Sequence, residues 1–80
     1  MSGNRMEIVV EHGSGCVAVK YFNEHDYLGQ IFFWCADGVK RVEDTWLRVF
    51  RTEHGKPEQI GNIFVHCPYE IKESWGDDGQ

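Results

Sequence analysis

Long apolar runs are missing from this sequence. The longest, Ile31 to Ala36, spans six residues, against the roughly 20 that a membrane-crossing helix needs. The N-terminal Met-Ser-Gly-Asn-Arg has no apolar core of the kind a secretory signal carries, so a cytoplasmic location is expected. Cysteine is scarce: Cys16, Cys35 and Cys67 form an odd, widely spaced set with no Cys-x-x-Cys. That pattern fits reduced thiols and excludes a disulfide framework. No histidine pair stands at metal-ligand spacing, and no metal or cofactor is expected. The serines are Ser2, Ser14 and Ser74; Gly13-Ser14-Gly15 lacks the spacing of a nucleophile elbow. No glycine-rich loop has the spacing that cradles phosphate. His12 and His54 each sit in a Glu-His-Gly turn. An enzyme is not expected.

What the 80 residues do hold is enough for one small fold. The apolar share is 41% and the aromatic share 14%, above the range of disordered chains. Basic charge is in the minority, with 8 Lys+Arg against 13 Asp+Glu and a net charge of -5. The deficit is uneven. Residues 68–80 carry Glu70, Glu73, Asp77 and Asp78 against Lys72 alone, a net -3 that leaves -2 for residues 1–67. The sequence therefore divides into a nearly neutral body, 1–67, and an acidic C-terminal tail, 68–80, expected as a single helical turn or as disorder.

The body reads as all-β, with β-prone runs separated by turn residues. Strands are expected at Met6–Val10, Cys16–Phe22, Gly29–Ala36, Thr45–Thr52 and Ile60–Cys67. Glu11–Gly15 reads as a turn and Asn23–Tyr27 as a polar loop. Asp37-Gly38 reads as a hairpin turn that Val39–Val42 extends. Glu53–Gln59, with Gly55 and Pro57, reads as irregular, and Pro68 ends the fifth strand. The fold expected is a small five-stranded antiparallel barrel, OB-like or SH3-like. Residues 28–35 and 60–67 echo one another, sharing Gly, Ile, Phe and Cys at matching places, as two equivalent strands would.

Alternation assigns the faces. Ile31, Phe33 and Cys35, then Leu47 and Val49, then Ile63, Val65 and Cys67 form a largely aliphatic core face, on which Cys35 and Cys67 are expected to meet. The opposite faces carry Gln30, Phe32 and Trp34; Trp46, Arg48 and Phe50; and Asn62, Phe64 and His66. That face holds five aromatic rings with Arg and His and no carboxylate, unexpected in an acidic chain. Such a platform stacks nucleobases while its cations meet phosphates. The same face also suits coverage by a short terminal segment, by barrel closure or by a dimer partner.

Val19-Lys20-Tyr21-Phe22-Asn23 resembles the Val-Lys-Trp-Phe-Asn opening of cold-shock domains, five-stranded barrels of the OB class. Tyr27-Leu28-Gly29-Gln30-Ile31 takes the place of that family's Gly/aromatic strand, and Ile63-Phe64-Val65-His66 resembles its Val-Phe-Val-His motif. The first nucleic-acid motif, Lys-Gly-Phe-Gly-Phe-Ile in the family, is here Asp26-Tyr27-Leu28-Gly29-Gln30-Ile31, without the Lys, one Gly and both Phe. In a second register, Phe50–Pro57 leading to Gly61-Asn62-Ile63 resembles the family's final hairpin. The resemblance implies that Lys20, Tyr21, Phe64 and His66 contact single-stranded RNA or DNA.

Two readings follow. The first is a non-enzymatic module that binds single-stranded nucleic acid through Lys20, Tyr21, Phe32, Trp34, Trp46, Arg48, Phe64 and His66. The second is a small acidic inhibitor of a basic, nucleic-acid-handling host protein, akin in size and charge to phage anti-restriction and anti-CRISPR proteins. There the aromatic face is the core of a protein interface and the carboxylates mimic phosphates. A homodimer fits either reading.

Overall fold

A computed structural model describes residues 3–75. These residues form seven strands: β1 (Arg5–Glu11), β2 (Cys16–Phe22), β3 (Tyr27–Trp34), β4 (Gly38–Glu43), β5 (Trp46–Glu53), β6 (Lys56–Phe64) and β7 (Tyr69–Ser74). They pair into a four-stranded sheet of order β3-β2-β1-β7 and a three-stranded sheet of order β4-β5-β6. All-β is thus correct. The five-stranded barrel is not what is seen: the strands make two separate sheets facing each other. Among the described residues no helix is long and apolar enough to cross a membrane.

The core lies between the sheets. Met6, Ile8 and Val10 of β1 and Val17 and Val19 of β2 meet Leu47 and Val49 of β5, Ile63 of β6 and Val65 beyond it. Each fully buried aliphatic side chain here is worth about 1.5–3 kcal/mol. Ala36 completes the set from the segment that crosses between sheets. Of the predicted core positions, Leu47, Val49, Ile63 and Val65 are buried and Phe33 packs partly against them, whereas Ile31 is exposed because β3 is a sheet edge.

Four expectations change. Asp37-Gly38 is a sheet crossing and not a hairpin turn. The Asp37 amide donates to the Phe50 carbonyl at 2.9 Å, and the Asp37 carboxylate accepts from the Thr52 amide. Residues 38–43 therefore pair with β5 and not with β3. Glu53–Gln59 is regular: β5 and β6 are joined by a two-residue turn at His54-Gly55, both at positive φ (54° and 78°), the combination a type I′ hairpin requires. Pro57 is tolerated because β6 is a sheet edge. Residues 69–74, expected as part of a frayed tail, are a strand that pairs parallel with β1, from Met6 opposite Tyr69 to Glu11 opposite Ser74. The remainder of the expected tail, 76–80, lies outside the described residues.

Cys35 and Cys67 do not meet across paired strands, since β3 and β6 belong to different sheets. Cys35 is exposed in a left-handed turn conformation (φ 60°), while Cys67 packs partly against the core. The buried thiol is Cys16, whose pKa is pushed up by desolvation and by nearby Glu11.

Candidate binding face

The site begins with the alternation of β5. Leu47 and Val49 point into the core, so Trp46, Arg48 and Phe50 project from the outer side of the three-stranded sheet. Register sets their neighbours. Trp46 stands opposite Phe64, Arg48 opposite both Asn62 and Lys40, and Phe50 opposite Gly38 and Gln59. Trp46 and Phe64 form a tilted pair, ring centroids 6.4 Å apart at 35°. The Arg48 guanidinium lies 5.9 Å from the Trp46 ring centre, a cation–π distance. A Cβ at Gly38 would come within 2.9 Å of the Phe50 ring, so the glycine lets that ring lie down on β4. Gln59 donates to Asn62 at 2.7 Å, joining the two amides across the bulge between Val49 and Phe50.

Beside the rings runs a groove of about 410 Å³ lined by Lys40, Arg48, Phe50, Thr52, Pro57 and Gln59. Its electrostatics are unusual for this chain. Arg5 is tied to Glu7, Arg41 to Asp44, Arg51 to Glu53 and Glu58, and Lys72 to Glu7 and Glu70. Lys40 and Arg48, like Lys20 and Lys56, have no carboxylate partner among the described residues, and they alone of these stand directly opposite one another, on β4 and β5. Like charges so placed are destabilising. The Arg48 Nε is also buried without a hydrogen-bond acceptor. An anion between the two side chains relieves their mutual repulsion.

The eight predicted contact residues divide among three places. Trp46, Arg48 and Phe64 share the face just described. Phe32 and Trp34 share the outer face of the other sheet, where their rings stack at 5.0 Å and 19°. Lys20 is on that second face too, opposite Gln30 and Glu7. Tyr21 turns inward and packs against the core. His66 lies in the bend after β6. With Tyr21, Ile31 and Phe64 it lines a cleft of about 430 Å³ where the sheets part. The single aromatic platform is therefore two, on opposite sides of the molecule. Strand parity was right for Phe32 and Trp34 but their sheet was not.

The sequence does not bring Lys40 to this face, because 39–42 read there as an extension of the preceding strand's hairpin and not as the partner of β5. The signal for it was the short Asp44-Thr45 link, which makes 38–43 and 46–53 a natural hairpin. Among the described residues no group of three or more His, Cys, Asp or Glu side chains is placed to hold a metal ion. A scan against protein-family models, a search of curated proteins and a search of solved structures each gave no match to this chain.

Proposed function

We propose that the protein binds single-stranded RNA or DNA on the outer face of the β4-β5-β6 sheet, without catalysis. Trp46, Phe64 and Phe50 offer ring surface for bases. Lys40 and Arg48 take the phosphates, and Asn62 and Gln59 supply amides that hydrogen-bond base edges or sugar. The observation that carries this reading is the facing pair Lys40 and Arg48, unneutralised in a chain whose other arginines are neutralised, set among aromatic rings. The net charge of -5 is compatible with it, because stacking is short-ranged and Glu43, opposite Trp46, is the one carboxylate that the β4–β5 register sets beside these rings. Many-contact binding to duplex is not expected from two cations.

The test is tryptophan fluorescence during titration with a single-stranded oligonucleotide at low salt. Saturable quenching is expected. Phe64→Ala and Arg48→Ala each weaken binding by about 1–3 kcal/mol, and Lys40→Ala lowers the slope of log affinity against log salt by roughly one phosphate contact. Phe32→Ala, on the opposite side of the molecule, leaves affinity unchanged. Unquenched fluorescence at saturating oligonucleotide, or equal losses from Phe32→Ala and Phe64→Ala, would overturn the proposal.

A further inference from the structure

Among the described residues, the four sheet edges are not alike. β4 carries Lys40, Arg41 and Glu43; β6 carries Lys56, Pro57 and Glu58; β7 carries Glu70, Lys72 and Glu73. Charges and proline on an edge strand are the usual means of preventing another strand from adding to it. β3, the remaining edge, has no charged residue and no proline along its whole length, Tyr-Leu-Gly-Gln-Ile-Phe-Phe-Trp. Its irregularities are at its start, where Leu28 is the extra residue of a bulge against β2 and Gly29 has a φ of 140°. From Gly29 to Trp34 the register is regular. The apolar side chains along it are open to solvent: Ile31 is 48% exposed, Phe32 41% and Trp34 64%. A bare backbone edge thus coincides with an unfilled apolar surface on both sides of one strand.

We infer that β3 pairs antiparallel with β3 of a second copy of this chain, joining two four-stranded sheets into one of eight. The occupant follows from symmetry and charge. An antiparallel strand pair has a two-fold axis perpendicular to the sheet, so a single uncharged edge is complementary to itself. Centred on Ile31, the axis sets Gln30 of each copy opposite Phe32 of the other. It keeps both cores on the same side and brings the two Phe32–Trp34 stacks together. Two chains of net charge -5 approach with least repulsion along an edge that has no carboxylate. The pairing also closes on itself: each copy's other edge in this sheet is β7, whose Glu70, Lys72 and Glu73 oppose further strand addition. The result is a dimer and not a growing fibre. The inference is independent of the oligonucleotide reading, whose face lies on the other sheet.

The experiment is sedimentation equilibrium of the full chain at up to about 200 µM, with Gln30→Glu/Phe32→Glu and Gln30→Lys/Phe32→Lys made in parallel. The unmodified chain is expected to weigh twice its 9.3 kDa at high concentration. Each double variant sets like charges opposite each other across the two-fold and raises the dissociation constant roughly tenfold or more. Mixing the two restores the dimer through Glu–Lys pairs. Circular dichroism checks that each variant is folded. If either is not, Gln30→Glu alone serves, because within its own chain it faces Lys20 favourably. Hydrogen exchange gives a second reading, with the amides of 29–34 gaining protection as concentration rises. A monomer at the highest concentration would overturn the inference. So would a dimer indifferent to charge at 30 and 32, or exchange at 29–34 that ignores concentration.

Discussion

Phe33 makes a close contact between the two sheets. Its ring reaches from β3 to Gly61 of β6, so that a Cβ on Gly61 would fall 2.5 Å from it. The glycine is a matter of space here and not of backbone conformation. Gly61→Ala is expected to cost about 1–3 kcal/mol by overpacking, read as a lowered urea midpoint. Combining it with Phe33→Leu should return part of the loss, since residues in contact do not add independently. At this scale alternation made Leu47, Val49, Ile63 and Val65 readable as core, because period two is a property of the strand itself. It misplaced Cys35 for a local reason: at φ 60° that residue has already left the strand, and alternation stops with it. The partner of Gly61 was beyond reach, since it belongs to a strand in the facing sheet.

At the scale of elements, most strands were legible and their partners were not. The runs at 16–22 and 46–53 carry β-branched and aromatic residues that favour a half-buried pleat wherever they pair. Which run sits beside which depends on turn geometry and on the crossing at Cys35–Asp37. The sequence shows Asp37-Gly38 there as a hairpin dipeptide, although its hydrogen bonds go to β5. The same ambiguity split the aromatic platform in two. The reverse error occurred at Glu53–Gln59, where proline and glycine suggested irregularity and a tight hairpin stands. That hairpin holds His54 at φ 54°, a conformation asparagine adopts more readily than histidine. His54→Asn is expected to stabilise the protein by up to about 1 kcal/mol, seen as a higher midpoint in thermal unfolding.

Across the whole molecule, Glu7, at the seam between β1 and β7, contributes to how the fold responds to acid. Glu7 accepts from Arg5 at 2.6 Å and lies 3.4 Å from the Lys72 ammonium on the neighbouring strand. These partners, Arg5 foremost, hold its pKa below the ordinary carboxylate value. A lowered folded-state pKa means that the ionised form favours folding. Its contribution is complete above the ordinary carboxylate range and is lost as pH falls through the lowered value. Glu7→Gln is therefore expected to reduce stability at neutral pH, the two proteins converging in acid once pH has fallen below that lowered value. Denaturant unfolding of both across that range checks the prediction, and a gap that persists in acid would contradict it. Glu58, lowered chiefly by its hydrogen bond from Arg51, adds acid sensitivity of the same sign in the other sheet.

The parallel pairing of β1 with β7 also has a mechanical meaning. The two strands are the first and last of the described chain, running side by side in the same direction from Met6 and Tyr69 to Glu11 and Ser74. Tension applied before Arg5 and after Ser74 pulls them past each other along their length. The rungs of that ladder are then loaded together, in shear, and not opened one after another like a zipper. A sheet paired antiparallel at its ends would peel. This one is arranged so that tension loads the whole β1–β7 ladder at once.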